Sequence, residues 1–129
     1  MMKFHHIGIA CKDITSAKRD IEKNHVVIES SEIVFDENQD ANLCLLTLQE
    51  GVNLELVSGN AVNSFLKKGI KYYHICYEVD NIEKKYDEMA SNGCTPISPL
   101  KPAKLFNMRR VAFLYSSFGI IELLESENG

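Results

Sequence analysis

Four residues of this chain, His6, Glu55, His74 and Glu122, have types and spacings suited to metal-assisted proton transfer. The histidines stand 68 positions apart and the glutamates 67. Each lies in a segment with a counterpart at that distance. His6-Ile7-Gly8-Ile9-Ala10 matches His74-Ile75-Cys76-Tyr77-Glu78, and Gly51-Val52-Asn53-Leu54-Glu55-Leu56-Val57 matches Phe118-Gly119-Ile120-Ile121-Glu122-Leu123-Leu124. Ile14 and Ile82 match in the same way, each opening a helix-like stretch. Two separated segments repeating with nearly one period mark a duplicated supersecondary unit.

Taken singly, His74 reads as a hydrogen-bonded core histidine and Glu122 as a half-exposed residue near the end of the chain. Their recurrence at repeat positions changes that reading. Successive side chains of a strand point to opposite faces. His6 therefore opposes Ile7 and Ile9, and His74 opposes Ile75, Tyr77 and Val79. Glu55 opposes Leu54 and Leu56, and Glu122 opposes Ile121 and Leu123. All four polar residues fall on the sheet face turned away from the helices. A carboxylate inside an apolar strand is costly to bury without a partner. Two imidazoles and two carboxylates meet that cost by sharing a divalent cation, roughly octahedral, with two positions left for water or substrate. Open positions belong to a catalytic site, not a structural one. Cobalt, nickel, zinc and manganese all accept such a His2Glu2 set, and the sequence does not choose among them. Glu55 and Glu122, at matching repeat positions, are the carboxylates of this set. His5, the neighbour of His6, falls by parity on the helix-packed face.

These residues need elements to hold them. The alternation from His6 to Cys11 predicts a half-buried strand. Asp13 is placed to cap a helix whose apolar stripe is Ile14, Ala17 and Ile21. Val26 to Ile28 reads as a strand, Asp36 to Asn42 as a polar stretch, and Leu43 to Leu48 and Val52 to Val57 as a hairpin turning at Gln49-Glu50-Gly51. In the second copy Tyr73 to Val79 is the strand. Asn81 caps a helix with Ile82, Tyr86 and Met89 on one stripe, and Gly93 ends it. Thr95 to Ile97, Val111 to Tyr115 and Gly119 to Leu124 are the remaining strands. Asn60 is placed to cap a short helix with Val62, Phe65 and Leu66, closed by Gly69. The chain thus reads as one α+β domain over residues 1–129. Module 1 spans about 1–58, a linker about 59–71 and module 2 about 72–129, each module being β-α-β-β-β.

Composition narrows the classes. Apolar residues form 45% and charged residues 25% of the 129, an ordinary globular balance, so any metal serves function rather than folding. The net charge of −4 and pI near 5.5, with cations scattered in pairs, make nucleic acid or an anionic membrane an unexpected partner. Cys11, Cys44, Cys76 and Cys94 form no C-x-x-C pair and no zinc-ribbon spacing. Together with an N-terminus lacking the long apolar run of a signal peptide, they lead to the expectation of a cytoplasmic protein. The segment from Ser98 to Met108 is long for a hairpin connection and is expected to line the mouth of a site. Lys101, Lys104 and Arg110 there are candidates to meet an anionic substrate group, or are ordinary surface cations. Ser30 to Asn42 is the equivalent lip of module 1. Cys76 shares the parity of His74.

With these residues in hand, the chain resembles the vicinal-oxygen-chelate superfamily: glyoxalase I, methylmalonyl-CoA epimerase, extradiol dioxygenases and drug-sequestering proteins. The resemblance rests on "HHIGIA", "VNLELVS", "YYHICYEVDNIEKKYDEM" and "RRVAFLYSSFGIIELLE", and covers nearly the whole chain. It implies two βαβββ modules paired into a cup-shaped curved mixed sheet with helices outside. The four ligand positions of the family fall on His6, Glu55, His74 and Glu122. It implies a divalent-metal-dependent isomerase or lyase that abstracts a carbon-bound proton through a metal-stabilised enediolate, with Glu55 and Glu122 as the catalytic pair, one base and one acid on the two faces of the enolate, their order left open. The substrate implied is a small molecule, a thioester or thiol adduct, and the assembly a homodimer. The ending "RRVAFLYSSFGIIELLE", which lacks an Asp-Pro-Asp-Gly turn, is more similar to methylmalonyl-CoA epimerase than to glyoxalase I, the alternative. A non-catalytic binding or resistance protein of the same fold is the other class to be excluded. Some epimerases carry a further acid on the third strand; Leu43-Cys44-Leu45 offers none.

Overall fold

The computed structural model describes residues 2–128. Contacts divide the chain into two compact units. His6–Tyr73 forms one; the residues from His74 onward, joined by the start of the first strand, form the other. The architecture is α+β, as expected. Each unit is a βαβββ module with one additional short strand.

In the first unit, β1 (Met2–Ala10) leads into α1 (Ile14–Glu22), followed by β2 (Val27–Ser30), β3 (Val34–Asp36), β4 (Ala41–Leu48) and β5 (Asn53–Ser58). The strand order is β2-β4-β5-β1, with β3 also on β4. β4 and β5 form an antiparallel hairpin, whereas β5 lies parallel to β1. A parallel pair needs a crossover between its strands. α1 and the intervening strands provide it. The helix starts where the sequence places it. The Asp13 side chain accepts hydrogen bonds from the Ser16 backbone N–H at 3.1 Å and from its hydroxyl at 2.7 Å. These bonds, the nearer hydroxyl foremost, hold the Asp13 carboxyl below the usual range. Ile14, Ala17 and Ile21 then pack with Ile9, Cys11, Cys44, Leu46 and Leu56 into one core. Burial there, with Asp13 nearby, pushes the Cys11 thiol up to about 11, so it behaves as a neutral core group.

The second unit repeats the plan with β6 (Tyr72–Val79), α3 (Ile82–Ser91), β7 (Thr95–Pro96), β8 (Lys101–Ala103), β9 (Arg109–Ser116) and β10 (Gly119–Glu125). The order is β6-β10-β9-β7, with β8 also on β9, and β10 lies parallel to β6. Asn81 caps α3 by accepting from the Lys84 N–H at 3.1 Å, and Gly93 leaves it with φ +101°, a conformation glycine adopts without steric cost. Ile82, Met89 and Tyr86 pack with Val79, Leu114, Ile121 and Leu123. One ion-pair network ties the far end of this unit together. Arg110 donates to Glu125 at 2.7 Å and to Glu83 at 2.8 Å, and Arg109 donates to Glu78 at 2.7 Å. Arg110 holds the Glu125 carboxyl below the ordinary range.

The structure corrects several sequence expectations. β1 starts at Met2, not at His6, because Phe4 and His5 pack edge-on against Tyr77 and Phe106. Within the stretches 30–42 and 98–108, Val34–Asp36 and Lys101–Ala103 are ordered as strands β3 and β8, short pieces held by β4 and β9 rather than by their own apolar pattern. Residues 59–71 carry the short helix expected between the copies, as a 3-10 turn (Asn60–Val62) followed by α2 (Asn63–Lys67), and group with the first unit. Asn60 caps neither: its side chain donates to Asp40 at 3.0 Å, and the backbone of Gly59 takes the cap position.

Two outcomes follow for stability. Asp13→Ala lowers the unfolding free energy by about 1 kcal/mol through loss of the cap, whereas Leu123→Ala, a fully buried core truncation, lowers it by about 2–5 kcal/mol; denaturant titration separates the two. Glu125 has a depressed folded-state pKa, so its stabilising effect is present above the ordinary carboxylate range and fades as pH falls through the folded value. Glu125→Gln is therefore less stable than the parent near neutrality, and the difference closes as melting is followed into acid, through the depressed pKa of Glu125.

Candidate functional site

The parallel pairing of first and last strands sets a His beside a Glu in each unit. In the first, Gly8 registers with Glu55, and His6 lies two residues before Gly8 on the same face. In the second, Cys76 registers with Glu122, and His74 lies two residues before Cys76. The stagger is the same. Helix-side neighbours of the glutamates, Leu56 in one unit and Ile121 and Leu123 in the other, belong to the helix-packed cores. The glutamates point to the other face, as the alternation predicts.

His6 Nε2 stands 3.5 Å from Glu55 Oε1, with side chains 0% and 1% exposed. His74 Nε2 stands 3.0 Å from Glu122 Oε1, with the same exposures. Burying an acid and an imidazole so completely needs compensation, either by an Nε2–H···O hydrogen bond or by a shared cation. The donor set fits the cation. Two atoms bound to one ion at about 2.1 Å and at right angles lie about 3 Å apart. Both separations are near that value. Imidazole and carboxylate together suit zinc, nickel, cobalt or manganese.

Around each pair the wall is apolar. In the first unit Leu45 registers with Glu55, and Leu43 and Val57 are buried nearby on that face. Thr47 closes the strand end by donating to Asn53 at 2.8 Å. In the second unit Phe113 registers with Glu122, and its ring meets the His74 imidazole edge-on, centroids 5.3 Å apart and planes at 85°.

The remaining candidates divide. Cys76 is fully buried and lies on the His74 face. His5 is half-buried and alternates with the buried His6 as Ile7 and Ile9 alternate with Gly8 and Ala10; its ring packs against Phe106, and a ring nitrogen lies within 4.8 Å of the Cys76 sulfur. Arg110 is engaged by Glu83 and Glu125 and is not available for a substrate anion. Lys101 is half-buried and Lys104 exposed. Phe113 was not singled out by sequence, although the hairpin holds the signal: Ser116 pairs with Gly119, and counting back from that turn places Phe113 opposite Glu122.

No curated protein matches the chain in sequence. Among solved structures, the hypothetical protein BH1468 from Bacillus halodurans C-125 is similar with a TM-score of 0.77 at 24% identity, covering 99% of this chain and 96% of that one. Methylmalonyl-CoA epimerase from Mycobacterium tuberculosis gives 0.77 at 17% identity over 95% and 87%. A methylmalonyl-CoA epimerase in complex with methylmalonyl-CoA and NH4+ gives 0.75 at 18% over 98% and 96%. These likenesses establish the fold. Among the described residues no helix is long and apolar enough to cross a membrane. Residues 5–113 match the model of the glyoxalase/bleomycin resistance protein/dioxygenase superfamily, and the chain belongs to that superfamily.

Proposed function

We propose that His6, Glu55, His74 and Glu122 together bind one divalent cation, and that the protein is a metal-dependent isomerase acting on a small acyl thioester. One observation carries the reading: a buried His–Glu pair occurs twice, at the same stagger across the same parallel strand pairing. A single such pair is an ordinary buried hydrogen bond. Two at repeat-equivalent positions make a His2Glu2 donor set of the kind that holds zinc, nickel, cobalt or manganese with positions left over. When bound, the cation supplies a Lewis acid that polarises a substrate carbonyl oxygen.

The chain's own residues do the rest. Glu55 and Glu122 are the carboxylates of the set, and each is placed to hold a proton next to a polarised carbonyl. One takes the proton from the neighbouring carbon and the other returns one to the opposite face, which inverts that centre. Leu43, Leu45, Val57 and Phe113 give this reaction an apolar wall and no competing acid. The similarity in fold to methylmalonyl-CoA epimerases supports a thioester of a branched acid as the substrate.

The wall itself favours a second reading. No carboxylate stands on Leu43-Cys44-Leu45, so only the two glutamates are available for proton transfer. An arrangement of that kind also serves a glyoxalase I-like lyase, in which the proton returns to the adjacent carbon of a glutathione hemithioacetal.

The test is deuterium uptake into methylmalonyl-CoA in heavy water, using protein loaded in turn with cobalt and nickel. Uptake at the α-carbon is expected, abolished by chelator and reduced by about 10²–10⁴-fold in Glu122→Gln. No uptake with any metal overturns the epimerase reading. Turnover of the methylglyoxal–glutathione hemithioacetal then identifies the lyase. Metal-independent binding of a planar apolar molecule, with neither activity, identifies a binding protein. Separately, cobalt at 100 times its dissociation constant is expected to stabilise the protein by about 2.7 kcal/mol, and His74→Ala to lose most of that gain in a melting assay.

A further inference from the structure

We infer that Phe113 is a positioning residue: its ring fixes the plane of the His74 imidazole so that Nε2 stays aimed at Glu122. The geometry is contained within one unit. Three adjacent strands, in the order β6-β10-β9, carry His74, Glu122 and Phe113. Phe113 is registered with Glu122 on the neighbouring strand, and its ring reaches across to His74 at 5.3 Å in a T-shaped contact. That arrangement is favoured for aromatic rings and is sensitive to orientation. A His has two soft side-chain torsions, so a hydrogen bond or a metal at Nε2 does not by itself hold the ring plane. The ring of Phe113 adds that restraint.

The backbone of Phe113 is held in turn. Its N–H donates to the Ser98 hydroxyl at 3.1 Å, and its carbonyl accepts from the Ile97 and Ser98 N–H groups at 2.8 Å and 3.3 Å. The residue is thus fixed by β10 on one side and by the segment after β7 on the other. This gives a role to the start of the 98–108 segment that a surface connection would not have. The other unit differs at the registered position. There the residue registered with Glu55 is Leu45, and the His6–Glu55 separation is 3.5 Å against 3.0 Å for His74–Glu122. An edge-on aromatic contact of this kind is worth about 2–10-fold in an equilibrium constant.

The inference rests on the proposed metal reading for its effect on affinity, but not for the geometry, and the two fail separately. Phe113→Leu, which copies the residue of the other unit, is compared with Phe113→Tyr and with Leu114→Ala, a truncation in the helix-side core. The measurements are cobalt titration followed by the visible d–d bands, melting of the metal-free protein, and NMR relaxation of the His74 ring carbons without metal. Phe113→Leu is expected to weaken cobalt binding by about 3–10-fold and to alter the bands. Phe113→Tyr is expected to restore both. Leu114→Ala is expected to lower the melting temperature while leaving the affinity of the folded protein unchanged. Cobalt affinity of Phe113→Leu within twofold of the parent overturns the inference. If the parent binds no divalent ion, the metal reading falls, and the relaxation measurement decides the role of Phe113. A His74 ring that is rigid in the parent and mobile in Phe113→Leu supports it; equal mobility in both overturns it.

Discussion

The site depends on one constraint: in each unit the last strand lies parallel to the first. Antiparallel neighbours can be joined by a tight turn, but a parallel pair requires the chain to travel away and return. The helix and the middle strands make that journey, and the apolar face of the helix covers one side of the pair. The opposite side is left for residues with another purpose. Because β5 meets β1 with Glu55 beside Gly8, and β10 meets β6 with Glu122 beside Cys76, the histidine two positions earlier in each first strand reaches the carboxylate. A slip of one residue would turn every one of these side chains into the helix-packed core.

The pairs are poor candidates for stabilising the fold. Replacing a buried ion pair by apolar side chains of similar volume is often neutral or favourable to stability. Around Glu55 and Glu122 the strands are otherwise leucine, isoleucine and valine, so an apolar solution lies close at hand. The helix-side clusters already provide each unit with a core. The buried acids therefore point to chemistry. The two copies are also no longer equivalent. Gly8 stands where the other unit has Cys76, and Leu45 where it has Phe113. The His–Glu separation is 3.5 Å in the first pair and 3.0 Å in the second.

Much of this was legible in the sequence because the repeat fixes several positions at once. A His and a Glu recurring with nearly the same period, each flanked by alternating apolar residues, gave the His–Glu pair of each module and the face it occupies. The caps at Asp13 and Asn81 were legible because a short polar side chain directly precedes an amphipathic run. What escaped notice depends on contacts distant in sequence. β3 and β8 are held by their partners and show no pattern of their own. Asn60 looks like a cap until Asp40, twenty residues earlier, takes its side chain. Arg110 carries the charge of an anion-binding residue, and only the structure reveals Glu83 and Glu125 around it.

The parallel closure also has a kinetic side. The first and last strands of a unit are separated by nearly the whole module, so their pairing is the least local contact within it. Loop closure over such a distance is entropically expensive, and contacts of this kind slow folding compared with helices and hairpins. The β4–β5 and β9–β10 hairpins can form early, before either histidine has met its glutamate. Each His–Glu pair then comes into being only with the closing step of its unit, and a partly folded chain has neither. A ligand that recognises the paired residues would thus act as a reporter of completed folding, silent towards every intermediate that precedes it.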